Sequence, residues 1–382
     1  MPEPSPVLDG SASTRGGTAR QWSMDATHQT TDEVAERLFG SLLGMLEVLS
    51  AFLGDRLGWY RSLANDGPAT APELAARTGT APRYAREWLE QQAVCGLLTV
   101  ERDGEPDERV FSIPAAVAEV MTDASSLAYI APVTRLFGAV GPLLPDLLNA
   151  YRSGGGVSWS QLGAEAREAQ GDQNRPWFSG PLGDALAGVP AVHDVLSQLR
   201  ARVLDVGCGV GWSTIGLARA YPEATFVGVD IDPPTVALAQ QNVAEAGLAD
   251  RVRIVCADAD SLDALGSFDM AFAFECVHDM PRPVEVLAAA RKALLPGGSL
   301  VVMDEAVAEA FAPLGDEIER VMYGFSLLVC LPDSMCGDPT VATGTVMRPA
   351  TLQSYAEAAG FSSFAVLPIE GFSFFRFYRL SD

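Results

Sequence analysis

The sequence predicts an α/β fold, a parallel sheet wound with helices, behind a mainly helical N-terminal domain. Three observations carry this reading. Residues 203–206 (Val-Leu-Asp-Val) form a short run of the kind that makes a buried parallel strand. Gly207, Gly209 and Gly211 follow at alternate positions, and 212–221 then reads as a helix. From Arg202 onward, strand-like and helix-like segments alternate, which implies parallel pairing through right-handed crossovers.

The elements follow in chain order. The first thirty residues are rich in Pro, Ser, Thr and Gly and lack an apolar run, so a disordered tail is expected, neither signal peptide nor membrane span. Thr31-Asp32-Glu33 is expected to cap a helix over 34–57, with Val34, Leu38, Leu42, Met45, Leu49 and Leu53 at helical spacing. Gly40, Gly44 and Gly54 mark breaks or close packing, and the apolar run suits a second subunit as well as its own domain. Residues 71–79 and 82–94 read as two helices, and 95–100 with 109–113 as a hairpin. Helix, helix and hairpin make a winged helix, and the domain is expected over 31–122.

Residues 123–195 read as a helical connector broken by Pro and Gly, with 153–156 a flexible joint. Strands are expected near 203–206, 225–230, 252–256, 269–275 and 299–304. Residues 306–348 interrupt the alternation and are expected to form a lid. A last helix over 351–359 and a strand pair over 361–367 and 372–380 complete a domain of 196–382.

Glycine permits a tight turn and close approach of a ligand, and the N–H groups at a helix start favour an anionic or polar group. Asp230 ends the second strand, where an α/β nucleotide site places a carboxylate on ribose hydroxyls. The glycines do not follow the dinucleotide spacing G-x-G-x-x-G. The order Asp205, Gly207-Cys208-Gly209-Val210-Gly211, Asp230, then Cys256-Ala257-Asp258-Ala259 and Leu294-Leu295-Pro296-Gly297-Gly298, resembles the class I S-adenosylmethionine (SAM)-dependent methyltransferases over roughly 195–382. The fold this implies is Rossmann-like.

That resemblance implies a SAM site. The turn Gly207, Cys208, Gly209 and Gly211 would approach the amino-acid end, with Asp205 orienting it. Asp230 and Ile231, with Asp232 beside them, would meet the ribose, and Asp258 and Ala259 the adenine. Residues 273–280 end the fourth strand as Ala-Phe-Glu-Cys-Val-His-Asp-Met, similar to the His-Asp-Trp stretch of plant-type small-molecule O-methyltransferases, with Met280 in place of Trp. In that family the histidine is general base, which gives His278 that role, and its rival role is to brace the next helix. Glu275 would face the sulfonium, assist the base or accept loop N–H bonds. Arg175, Trp177 and Phe178, just before the SAM domain, and Tyr323 on the lid are candidate substrate contacts, with core packing the alternative for the aromatics. The N-terminal stretch looks like the winged domain of many O-methyltransferases, which dimerises rather than binding DNA. Across 160–382 the chain looks most like actinobacterial-type class I methyltransferases of undefined substrate, so the resemblance names none.

A chain of 382 residues suits about two domains. With 26 basic against 49 acidic residues its net charge is −23, which repels nucleic acid and anionic membranes. Lys292 is the sole lysine. The six cysteines form no C-x-x-C pair, no metal is expected, and a reducing cytoplasm fits. The expected function is a homodimeric methyltransferase acting on a small, hydroxyl-bearing or aromatic metabolite. The rivals are a SAM-responsive winged-helix regulator and a SAM-binding protein without transfer chemistry. The 82–94 helix sets Arg83 and Arg86 against Glu87 and Glu90, so it offers DNA no basic face.

Overall fold

A computed structural model describes residues 29–382 except Ser373, and the side chains of Ala259 and Asp260 are outside that description. The expected tail therefore lies almost wholly outside the described residues. The described residues before Leu43 belong to one compact unit, and Leu43–Asp382 forms another.

Helix α1 spans Thr31–Arg56. Its start is capped one residue earlier than expected: Thr30 Oγ1 accepts from Glu33 N at 3.3 Å while Glu33 returns to Thr30 N at 2.8 Å. Of its three glycines only Gly54 is closely packed, where a Cβ would meet the Trp88 ring at 2.3 Å; Gly40 and Gly44 have nothing within 4 Å. Helices α2 (Trp59–Asn65), α3 (Ala71–Thr78) and α4 (Pro82–Val94) follow, then the hairpin β1 (Thr99–Arg102) and β2 (Val110–Ser112). The hairpin pairs antiparallel, Thr99 with Ser112 and Val100 with Phe111. Thr70 and Glu73 form a capping box on α3, and Gly79 ends it in the left-handed conformation. Trp59, Tyr60, Leu74, Trp88, Leu89 and Phe111 make this region's core.

The connector is helical throughout: α5 (Ala115–Thr122), α6 (Ala131–Val140), α7 (Leu144–Ser153), α8 (Trp159–Ser179), α9 (Pro181–Ala187) and α10 (Pro190–Leu196). One expectation is corrected here. The 153–156 joint is pinned, because a Cβ on Gly156 would meet the Pro332 carbonyl at 2.3 Å and Val157 N donates to that oxygen at 3.0 Å. Residues 170–178 lie inside α8, which breaks only at Gly163 (φ 79°).

The sheet contains β3 (Arg202–Val206), β4 (Thr225–Asp230), β5 (Val252–Cys256), β6 (Phe268–Phe274), β7 (Leu294–Glu305), β8 (Ser363–Val366) and β9 (Phe375–Ser381). Between them lie α11 (Trp212–Ala220), α12 (Pro233–Glu245), α13 (Pro283–Ala293), α14 (Glu317–Phe325), α15 (Leu331–Ser334) and α16 (Pro349–Ala358). The strand order is β5-β4-β3-β6-β7-β9-β8, with β9 antiparallel to both its neighbours. Alternate strand residues serve opposite faces. Val203, Phe226, Phe272 and Val301 pack with α9 to α12, and Leu204, Ala271 and Val302 with α13 and α16. Strand order reverses between β3 and β6, and ligands of such sheets sit beyond the strand carboxyl ends at that point.

Candidate active site

The glycine turn leaves β3 at the reversal. Gly207 (φ 68°) and Gly211 (φ 88°) sit where L side chains are strained, and a Cβ on Gly207 would also meet Cys276 Sγ at 2.8 Å. A Cβ on Gly209 would meet nothing within 4 Å, so the turn's apex faces open space. Its donors are largely engaged. Gly207 N and Cys208 N donate to Val229 O, Gly211 N to Cys208 O, and Gly209 N to Asp230 Oδ2 at 3.0 Å. These N–H groups are thus engaged within the turn and with β4, and at its apex the turn offers close backbone approach. The Cys208 side chain is buried in the core and faces no ligand.

Asp205, buried within β3, accepts from Ser213 Oγ at 2.6 Å and Thr214 Oγ1 at 2.5 Å, fixing the start of α11 to the strand. Burial raises its pKa to about 6 against those two bonds. Asp230 accepts from Gly209 N and Asp232 N, and burial raises its pKa too. Asp232, expected beside Asp230 at the ribose, is engaged by the protein itself. Its carboxylate caps α12 through Thr235 and pairs with the buried Arg167 of α8 at 2.7 Å. Burial would raise its pKa, but Thr235 and Arg167 outweigh that and lower it. Ile231 is exposed, as is Asp258, which starts the turn after β5 and accepts from Ser261 Oγ at 3.2 Å.

The second half of the crevice is built at the ends of β6 and β7. Glu275 follows β6 with φ 49°, a strained conformation for a residue with a Cβ, and accepts a hydrogen bond from Asn174 of α8. Buried His278 stands among acids. Its Nδ1 lies 3.0 Å from Asp304 Oδ1 and 3.2 Å from Glu305 Oε2, and its Nε2 lies 3.3 Å from Asp279 Oδ1. Burial alone would lower its pKa, but Asp279, Glu305 and Asp304 hold it well above 6.5. Burial first, then mutual repulsion, raises Glu275. Glu305 is raised first by burial and then by Asp304. His278 with Asp304 and Glu305, and His278 with Asp279 and Cys330, each bring three donor atoms within 4.8 Å, groupings that no local spacing announces. Cys330 ends a π-helical turn over Ser326–Cys330 that continues α14.

The substrate candidates divide. Phe178 is core, 5.4 Å from Phe274, and its carbonyl lies 2.1 Å from where a Gly216 Cβ would stand. Trp177 packs on Phe372 and Phe375. Exposed Arg175 stacks over Trp212 at 4.3 Å. Tyr323, partly exposed on α14, lies 3.4 Å from Arg348 Nη2, which pairs with Glu319 at 2.6 Å. Asn174 and Arg167 were not singled out from the sequence. Their signal is one helix carrying polar side chains on the face turned to the strand ends. An open cleft of about 730 Å³ is lined by 154–156 and 335–340, and none of the sequence-predicted site residues lines it.

Two family models match. One is described as a methyltransferase domain, over residues 203–298, and the other as an Rv2258c-like winged HTH domain, over 45–123. The chain is 37% identical over 145 residues to 27-O-demethylrifamycin SV methyltransferase of Amycolatopsis mediterranei, covering 37% of this chain and 50% of that one. It spans half or less of the length of the curated relatives it matches first. Among solved structures, PigF with SAH superposes with a TM-score of 0.70 at 19% identity, covering 93% of this chain and all of that one. Human N-acetylserotonin methyltransferase in complex with SAM superposes at 0.67 and 18%, covering 93% and 99%. The chain thus carries a methyltransferase domain over 203–298 and an Rv2258c-like winged HTH domain over 45–123, and shares its fold with these solved methyltransferases.

Proposed function

We propose that the protein is a SAM-dependent methyltransferase acting on a small-molecule acceptor. The observation that carries this is the meeting of two half-sites at one strand reversal. The open-faced turn 207–211 with Asp230 stands opposite Glu275 and His278, inside a methyltransferase domain. When bound, the cofactor supplies an activated methyl group on a sulfonium. The chain's task is positioning and exclusion of water. Asp205 holds the turn, Gly207, Gly209 and Gly211 let the methionine portion approach, and Cys208 backs the turn from the core. Asp230 takes the ribose by turning from Gly209 N. Ile231, Asp258 and the backbone at Ala259 border the adenine, and Glu275 faces the sulfonium. Arg175 and Tyr323 remain the exposed candidates for the acceptor's rim.

The general-base role does not suit His278 as it stands. An imidazolium with a carboxylate at each nitrogen has no lone pair to take a proton. We assign it to holding Asp279, Asp304 and Glu305 in place, and we assign proton acceptance to the rim carboxylates.

We place domain boundaries near 122 and 195, and a dimer contact on α1. Leu38, Phe39, Leu42, Met45, Leu46 and Leu49 of α1 are exposed. The helix is long and apolar enough to cross a membrane, with mean hydropathy 1.5 over its best window, but Glu47 sits within its apolar run. A second copy is the occupant we favour. Arg86 pairs with Asp107 and Arg109 with Glu90, which supports a winged domain that does not bind DNA. All six cysteines are free thiols, which supports a cytoplasmic site.

Label transfer tests the reading. Protein incubated with methyl-labelled SAM and a small-molecule extract should move label into that extract. Salt-sensitive, sequence-selective DNA binding without label transfer would favour the regulator. Light scattering should give a dimer; a monomer that partitions onto lipid vesicles would overturn the α1 assignment.

A further inference from the structure

Around His278, buried Asp304 Oδ2 has no partner, and buried Asp279 Oδ1 and Glu305 Oε2 form no well-aligned hydrogen bond, facing the His278 ring nitrogens at 3.3 and 3.2 Å. The side chains of Asp304 and Glu305 are 1% and 6% exposed, so solvent does not serve them. A buried acceptor without a donor is costly and rare. The charged groups that act on Glu275, Asp279 and Glu305 are one another, Asp304 and His278. Asp333 of α15 adds a further acid, repelled by Asp279 and raised by burial to about 7. Five carboxyls and Asp333 thus surround or adjoin the crevice, counting Asp205 behind the turn, against a single imidazole.

This arrangement lacks a positive charge that carries N–H donors. A metal ion would also take the carboxylate lone pairs, but it would need a free imidazole nitrogen from His278, and both ring nitrogens already face carboxylates. A hydroxyl acceptor is opposed, since oxygen gains negative charge as its proton leaves, beside acids already in excess. An amine fits both needs. It arrives with N–H groups and ends the reaction as a cation.

We propose that the methyl acceptor is a primary or secondary amine, held with its nitrogen toward Asp279 and Glu275 and with Asp304 and Glu305 behind them. The inference rests on the methyltransferase reading. The bound ammonium gives one proton to a rim carboxylate. The freed nitrogen lone pair then forms the N–C bond to the methyl carbon as the S–C bond breaks with its electrons on sulfur. The product is an alkylammonium beside the thioether, and its positive charge, moved from sulfur to nitrogen, stays within the acidic crevice. Asp279, partly exposed where Asp304 and Glu305 are not, is the rim group that meets the amine.

Calorimetry on the full chain saturated with S-adenosylhomocysteine tests this with an isosteric pair, 2-phenylethylamine and 2-phenylethanol. The amine should bind at least tenfold more tightly. Asp279→Asn and, separately, Glu275→Gln should each remove most of that preference while keeping the wild-type circular dichroism spectrum. Alcohol binding as tight as amine binding, or no measurable amine binding, overturns the proposal. So does stoichiometric zinc or manganese in the purified protein that Asp304→Asn abolishes. Failure of S-adenosylhomocysteine itself to bind sinks the methyltransferase reading instead, and the amine preference is then read on the unliganded protein.

Discussion

The two halves of the crevice are built on opposite principles. On the β3–β4 side each acid is tied to partners of its own: Asp205 Oδ2 holds two hydroxyls, with Oδ1 alone left unpaired, Asp230 holds two backbone N–H groups, and Asp232 a cap and an arginine. On the β6–β7 side three acids share one histidine, and Asp304 Oδ2 is left without a partner. The first half is a finished support that a cofactor enters by displacing little. The second holds unspent charge, which a folded protein keeps only where something else completes it.

Removing the one cation from the crowded half should give the largest effect. His278→Ala leaves Asp279, Asp304 and Glu305 facing one another, and stability in urea should fall by about 3–5 kcal/mol at pH 8. The loss should shrink at pH 5, as the carboxyls protonate. A loss independent of pH would mean that the histidine matters for packing alone. In the satisfied half the matching change is Arg167→Ala, which strips Asp232 of its partner but leaves Thr235 bound to it. A loss of about 2 kcal/mol is expected, because Asp232 is partly exposed. Equal losses at the two sites would erase the contrast between the halves.

A smaller effect concerns the wild type. Glu275, Glu305, Asp279 and Asp333 have pKa values raised by burial, and His278 is raised by its acids. In each case the native state binds more protons than the unfolded chain between the two pKa values, so stability must fall as pH rises there. The carboxyls contribute from their unfolded values near pH 4 upward, and the histidine from about 6.5 upward. Thermal melts should show a declining midpoint from about pH 6 to 8, at most about 1.4 kcal/mol per pH unit for each proton difference. A saturating amine should flatten the decline. A midpoint that rises over this range would show that these groups are not shifted upward.

The same contrast explains what was legible in the sequence. The cofactor half is nearly continuous: Asp205, the glycines and Asp230 sit within two strands and a turn, so their order in the sequence could carry a family resemblance. The strands and the winged hairpin were legible for the same reason, since alternation and glycine punctuation are local. The acceptor half is assembled from four separate segments: Asn174 from α8, Glu275 to Asp279 after β6, Asp304 and Glu305 at the end of β7, and Cys330 from the π-turn. His278 and its neighbour Asp279 were visible as residues, but Asp304 and Glu305, which also hold its proton, come from the end of β7. Likewise, the sequence could not show that Phe178 packs in the core against Phe274 or that Trp177, half-buried, packs on Phe372.

The most direct measurement is SAM affinity by calorimetry for the wild type, Asp230→Ala and Asp279→Asn. The account predicts one site per chain. Asp230→Ala should weaken it by roughly 1–3 kcal/mol through lost charge-assisted bonds to ribose. Asp279→Asn should leave it within about twofold, a change near 0.4 kcal/mol, because Asp279 serves the acceptor half. Absence of SAM binding, or weakening by Asp279→Asn but not by Asp230→Ala, would contradict the division of the crevice into a donor half and an acceptor half.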